Sequence, residues 1–176
     1  MSEVILVDIH DNDIGVSEKI NAHEKALLHR AFSLFVVYNG KMLIQQRALH
    51  KYHSPGKWAN ACCSHPWRGN TLEECVITRT KEELGIDISY PKKLFDFIYF
   101  SEYDNGLCEY ELDNVLLVEY NGDVYPNPEE INDIAWIEID ELADDMIRNP
   151  KKYSTWFLNC APRVIKYIKK NFDKVC

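Results

Sequence analysis

Nothing in this chain approaches the roughly 18 consecutive apolar residues of a membrane span, so no membrane association is expected. The opening Met1-Ser2-Glu3-Val4 lacks the basic start and apolar stretch of a secretion signal. There is no C-x-x-C spacing, which disfavours a cysteine-rich zinc ribbon. Without a secretion signal, the cysteines at 62, 63, 75, 108, 160 and 176 read as free thiols in a reducing cytoplasm. Basic excess is also missing: the net charge of −8 argues against non-specific nucleic-acid binding. A small anionic substrate stays open if cations or metal ions gather locally. No repeat, low-complexity tract or linker divides the 176 residues, which predicts one domain over 1–176. With 46% hydrophobic and 27% charged residues, that domain should fold around its own core.

What is present alternates strand and helix signals. Val4 to Ile9 reads as a strand. Ala31 to Tyr38 and Lys41 to Gln46 flank Asn39-Gly40, a dipeptide that tolerates the positive φ of a tight hairpin. His50 to Arg68, with Pro55, Gly56, Pro66 and Gly69, reads as a long loop, a common place for function. Thr71 to Leu84 predicts a helix, because Thr71 and Glu74 form a capping box and Gly85 supplies the stop. Its apolar stripe of Leu72, Cys75 and Val76 continues at helical spacing into Arg79 and Glu83. Lys93 to Tyr103 and Leu107 to Tyr120 flank Asp104-Asn105-Gly106. A three-residue turn there pairs Tyr99 with Glu111 and Ser101 with Glu109, placing Tyr99, Glu109 and Glu111 on one face. A two-residue Asn105-Gly106 turn would instead put Tyr99 opposite Leu112; the first is favoured. Ala135 to Ile139 reads as a last strand, and Glu141 to Arg148 and Thr155 to Asp173 as helices. Hairpins with a few helices, rather than regular βαβ units, predict an α+β fold.

Chemistry concentrates around Cys62-Cys63-Ser64-His65-Pro66. His23, His29, His65, Glu109 and Glu111 offer three imidazoles and two carboxylates, which suit a divalent ion such as Zn²⁺, Mn²⁺ or Mg²⁺. Each histidine taken alone is more commonly an ordinary polar residue. Either Cys62 or Cys63 could be the reactive thiol, against the commoner use of cysteine as a small buried hydrophobe. Lys19, Arg47, Lys51 and Arg79 are candidates for anion binding, against the plain alternative of solvated charges. Glu82-Glu83-Leu84-Gly85 could carry Mg²⁺ bridging phosphate oxygens, or could simply be a charged helix end. Trp156 is either core or a π-face for a developing cation.

These motifs resemble a known family. Thr78-Arg79-Thr80-Lys81-Glu82-Glu83-Leu84-Gly85-Ile86 resembles the second half of a Nudix box, R-E-U-x-E-E-x-G-U with U apolar. Thr78 and Arg79 replace its Arg-Glu, Ser64 its first Gly and Asn70 its first Glu, and these losses count against hydrolysis. His29-Arg30-Ala31-Phe32-Ser33, Gln46-Arg47-Ala48, the block Trp58 to Pro66, Glu83-Leu84-Gly85 and Glu109-Tyr110-Glu111 are similar to the type I isopentenyl-diphosphate isomerases, a non-hydrolytic Nudix branch. The resemblance runs from about Lys19 to Trp156. It implies an α/β/α Nudix sandwich with a mixed sheet and an N-terminal extension. It further implies isomerisation of isopentenyl diphosphate to dimethylallyl diphosphate by a 1,3-proton shift. It implies Cys63 and Glu111 as the proton-transferring pair, Tyr99 as support for the glutamate and Trp156 as the face for the cation. His23, His29, His65, Glu109 and Glu111 would hold one divalent metal (Mn²⁺, Mg²⁺ or Zn²⁺). Glu83 would hold a substrate-bound Mg²⁺, and Lys19, Arg47, Lys51 and Arg79 would grip the diphosphate. The expected protein is a cytoplasmic monomer or weak dimer whose partner is the small-molecule substrate. The rival expectations are a Nudix diphosphatase and a non-catalytic metal- or ligand-binding Nudix module.

Overall fold

The structure is a computed structural model that describes residues 3–51, 53–103 and 105–172. Asp104, Asp173 and Cys176, which figure in the sequence expectations, lie outside the described residues. The chain opens with β1 (Glu3–Val7) and β2 (Asp13–Glu18), a hairpin, followed by the short helix α1 (Lys19–Glu24). Next come β3 (His29–Tyr38), β4 (Lys41–Arg47), β5 (Trp58–Asn60) and β6 (Cys62–Ser64), and then helix α2 (Leu72–Leu84). The long strands β7 (Lys92–Glu102) and β8 (Cys108–Glu119) precede β9 (Ile131–Glu138), α3 (Ile139–Arg148), a 3₁₀ turn at Pro150–Lys152 and α4 (Thr155–Phe172).

Among the described residues the strands form one nine-stranded mixed sheet. β3 is its hub: it runs parallel to β8 and antiparallel to β1, β4 and β6. A strand covered on both faces should be apolar throughout rather than alternating, and eight of the ten residues of His29–Tyr38 are buried, the exceptions being Arg30 and Tyr38. Side chains still alternate between the faces. Phe35 and Val37 pack with Val115, Leu117 and Phe157 of α4, whereas Phe32, Leu34 and Val36 pack with Cys75, Val76 and Leu84 of α2. Helices therefore cover both faces of the sheet, the expected α/β/α arrangement.

The β3–β4 turn forms at Asn39-Gly40 with φ of 48° and 76°, as the dipeptide predicts. α2 carries the full capping box, and Gly85 closes it at φ 67°. The β7–β8 register is the favoured one: Tyr99 faces Glu111, Ser101 faces Glu109, and the Tyr103 N–H donates to the Leu107 carbonyl at 2.9 Å.

Four expectations need correcting. The first strand stops at Val7; the chain then turns, and Ile9 is exposed. β2 and α1 follow where no element was expected. The stretch His50 to Arg68 contains β5 and β6, so Cys63 sits on a strand, not in a loop. These strands have three residues each, too few for a period-two pattern, and they exist because β4 and β3 supply the hydrogen-bonding partners. The last strand begins earlier, at Ile131, because it pairs with the whole of β4, and Ile139 already belongs to α3.

Candidate active site

Strand alternation delivers the site residues to a single face, the one covered by α4. Ser33, Phe35 and Val37 mark that face on β3. His29 shares their parity and lies beside Glu111 in the parallel β3–β8 register. Cys63 pairs with Ser33, so it and His65, two residues on, turn the same way. Cys62 turns the other way, into the core under α2, with its Sγ 3.6 Å from Glu83. The two adjacent thiols are thus separated by the sheet, and Cys63 is the one that lines the cavity.

Three imidazoles converge on Glu111. The His29 ring lies 5.1 Å from His23 and 5.0 Å from His65, centroid to centroid. His65 Nε2 is 2.9 Å from Glu111 Oε1. One ligand atom each from His23, His29, His65 and Glu111 falls within 4.8 Å of all the others. Glu109, the fifth expected ligand, is outside this group. His29 decides whether the set suits a metal. Its Nδ1–H donates to the Leu27 carbonyl at 2.8 Å, which fixes the tautomer and leaves a lone pair on Nε2. That nitrogen is fully buried and 3.5 Å from Glu111 Oε1, too far for a good hydrogen bond. A buried imidazole nitrogen oriented this way, beside two more rings and a carboxylate, fits a divalent cation.

The carboxylates are joined through Tyr99, whose Oη lies 2.7 Å from Glu109 Oε2 and 2.5 Å from Glu111 Oε2. One phenolic hydrogen cannot serve both contacts, so a second proton must reside in the trio. Glu109 is its natural seat: burial and the charge of Glu111 push its carboxyl up to about 7. Burial presses Glu111 upward too, but the adjoining His29 and His65 imidazoles outweigh this and hold it well below the usual carboxylate range. Burial also raises the Cys63 thiol strongly, against the pull of Arg47, so the sulfur keeps its hydrogen.

Asn60 braces the far wall. Its Nδ2 donates to the Leu34 and Cys62 carbonyls at 3.2 and 2.8 Å, and its Oδ1 accepts from Trp156 Nε1 at 3.2 Å. Trp156 is thereby fixed beside the cavity, with the Arg47 guanidinium 5.2 Å from its ring centroid. Cys63, Tyr99, Glu109, Glu111, Trp156 and the four cations Lys19, Arg47, Lys51 and Arg79 all line this cavity, of about 100 Å³.

Residues 27–157 match the NUDIX domain. An isopentenyl-diphosphate Delta-isomerase 2 of Aromatoleum aromaticum is 41% identical over 164 residues, 93% of this chain and 86% of that protein. The isopentenyl-diphosphate Delta-isomerase 2 of Photorhabdus laumondii is 42% identical over 89% of each chain. The chain belongs to the isopentenyl-diphosphate Delta-isomerase branch of the Nudix family. Its fold also matches the crystal structure of DR0079 from Deinococcus radiodurans, with a TM-score of 0.74, over 92% of this chain and 98% of that one, at 18% identity.

In this Nudix chain the box helix is α2, and its Arg79 and Glu83 line the cavity. Arg79, which replaces a box glutamate, bonds Glu83 and Glu82 and lies 3.7 Å from Glu130. Glu130 also pairs with Lys51 at 2.5 Å. Burial lowers the Lys19 ammonium, although Glu109 and Glu111 oppose the shift. Two cavity residues escaped the sequence reading. His53 is buried with Nε2 3.1 Å from Glu109 Oε1, and burial, with Arg47 and Lys19 nearby, presses its imidazole down to about 2, so it is neutral. Glu130 is the other. No spacing rule reaches either residue: each lies in an irregular segment, and only the tertiary fold brings it in.

Proposed function

We propose that this chain converts isopentenyl diphosphate into dimethylallyl diphosphate, supplying precursors for isoprenoid synthesis. The reaction adds a proton to the terminal alkene carbon and removes one from the carbon nearer the diphosphate. It therefore needs two proton-transferring groups facing one substrate carbon chain. The observation that carries the reading is that the Cys63 thiol and the Tyr99–Glu111 pair line one cavity into which Lys19, Arg47, Lys51 and Arg79 also project. One group of the pair Cys63 and Glu111 delivers the proton and the other takes the second. Tyr99 steadies the charge on Glu111, and Trp156 offers its π-face to the tertiary cation formed between the two steps. Lys19, Arg47, Lys51 and Arg79 hold the diphosphate, and the burial of the cavity keeps water from the cation.

His23, His29, His65 and Glu111, joined by Glu109, would hold a Mn²⁺, Mg²⁺ or Zn²⁺ ion. Such an ion draws electron density from its carboxylate ligands and shifts their acidity. Glu83, a buried carboxylate of the same cavity, suits a Mg²⁺ shared with diphosphate oxygens. On this reading the enzyme is one domain over 1–176, monomeric or weakly dimeric, and works in the cytoplasm. No described helix is long and apolar enough to cross a membrane.

Incubation with isopentenyl diphosphate in heavy water tests the assignment. The expected product is deuterated dimethylallyl diphosphate without phosphate release, and Cys63→Ala should lower kcat by about 10²–10⁴-fold, the usual worth of a positioned acid or base. Unlabelled product, liberated phosphate or an active Cys63→Ala variant would overturn it.

A further inference from the structure

His53 is a buried cavity residue that the mechanism above leaves without a task. It lies in the connection between β4 and β5, which is pinned at several points. Gly56 N–H donates to the Arg47 carbonyl at 3.2 Å, Lys51 N–H to the Ala48 carbonyl at 3.2 Å and Ala48 N–H to the Glu130 carbonyl at 3.0 Å. Ser54 and Gly56 take positive φ, 47° and 68°, and the turn they make sends His53 inward to 7% exposure. Rings flank the imidazole on several sides: Trp156, edge-on at 6.1 Å, Tyr103 at 5.4 Å and His23 at 6.2 Å between centroids. The ring points its Nε2 at Glu109 Oε1, 3.1 Å away, and Arg47 Nη2 lies 3.4 Å from both that nitrogen and the His53 carbonyl.

Each oxygen of Glu109 thus has its own partner from a different element: Oε2 has Tyr99 on β7, and Oε1 has His53. A carboxyl group held at both oxygens cannot swing about its side-chain torsions. Released at one, Glu109 can rotate away from Tyr99, and the phenol then loses one side of its bridge to Glu111.

We propose that His53 is a positioning residue of the isomerase site: its Nε2–H holds Glu109 in the orientation from which Tyr99 is shared with Glu111. It needs no contact with substrate to do this. Through its carbonyl it also ties the Arg47 arm to the carboxylate pair, so the Arg47 cation and the carboxylates are set by one residue.

The inference rests on the isomerase reading, and a Mn²⁺ titration without substrate separates the two. Glutamine carries an amide N–H at nearly the reach of Nε2, whereas asparagine is one methylene shorter. With groups that orient metal ligands worth about 10–100-fold, His53→Asn should weaken Mn²⁺ binding and lower kcat each by roughly tenfold or more, with KM within about twofold. His53→Gln should stay within about threefold of wild type in both, since it keeps the hydrogen bond. In a Glu109→Gln background, His53→Asn should cost no more than about twofold further, the signature of two residues acting through one contact. Three results would overturn the proposal: wild-type Mn²⁺ affinity and kcat in His53→Asn, equal damage in the Gln and Asn variants at unchanged Tm, or the full Asn penalty persisting in the Glu109→Gln background. Should the reaction assignment fail for the wild type, the Mn²⁺ affinities still decide the role of His53.

Discussion

Tyr99 is the residue on which the proton bookkeeping of the cavity turns, because its one hydroxyl serves two buried carboxyl groups. Tyr99→Phe removes a single oxygen and leaves the ring packed between its neighbours. The bridge between Glu109 and Glu111 is then lost at little cost in packing. We expect kcat to fall by roughly 10–100-fold, less than for removal of the acid or base itself, whose worth is about 10²–10⁴-fold. Steady-state kinetics beside an unchanged near-UV circular dichroism spectrum checks this; a variant with full kcat would remove Tyr99 from the machinery. Asn60 offers the complementary case, a residue important to architecture rather than to chemistry. Asn60→Ala leaves Leu34 O, Cys62 O and Trp156 Nε1 without that partner in a dry interior. A buried polar group stripped of its partner costs about 1–3 kcal/mol, so urea unfolding should show a loss of at least that size. A loss below about 0.5 kcal/mol would mean that other groups satisfy these atoms, the range typical of an inconsequential surface change.

Elements differ in how plainly the sequence announces them, and the difference is physical. α2 is announced at both ends. Thr71 Oγ1 accepts from the Glu74 N–H at 3.2 Å, and the Glu74 carboxylate accepts from the Thr71 N–H at 2.7 Å. Thr71→Ala should therefore cost about 1 kcal/mol, the usual loss for a removed N-cap. Gly85→Ala should cost more. At φ 67° an L side chain is strained by about 1–2 kcal/mol. A Cβ there would also stand 2.8 Å from the Tyr125 carbonyl oxygen, a backbone atom that cannot swing aside. Equilibrium unfolding in urea ranks the two, and equal losses would contradict the steric argument. The β7–β8 hairpin was legible for a related reason, since one glycine turn fixes the register and the register aligns Tyr99 with Glu111. The strand period then accounts for Cys63 and His65 sharing a face, although β6 itself was not foreseen. α1 and β2 were invisible because their causes are not local. Six residues are too few for a helix to stand alone, and β2 is an edge strand that leaves Ile14 and Val16 exposed, so it shows no inward apolar pattern. His53 was unreadable for the same reason, because what makes it a site residue is the path of the chain around it.

At the scale of the molecule, the histidine cluster ties the short helix α1 to the central sheet. His23 comes from α1, His29 from β3, His65 from the segment after β6 and Glu111 from β8. Without an ion, stacked imidazole rings and a carboxylate occupy a space from which water is largely excluded, and only part of their hydrogen-bonding capacity is met within the protein. An ion that binds only the folded chain adds RT ln(1 + [L]/Kd) to stability, about 2.7 kcal/mol at 100 times its Kd. For a chain of this length, each kcal/mol moves Tm by about 2–4 °C, so Mn²⁺ at that excess should raise Tm by roughly 5–11 °C over chelator-treated protein. The increment must be compared within each variant, since His29→Ala also removes buried contacts. His29→Ala and His23→Ala should both lose most of the increment. His23→Ala is the sharper test, because its histidine reaches the cluster only through a helix of six residues. If the increment survives in His23→Ala, the ion is held by the sheet alone, and α1 packs against the site without closing it. If it vanishes, the N-terminal hairpin and helix complete the metal centre, and ion binding should protect α1 backbone amides from hydrogen exchange along with those of β3 and β8.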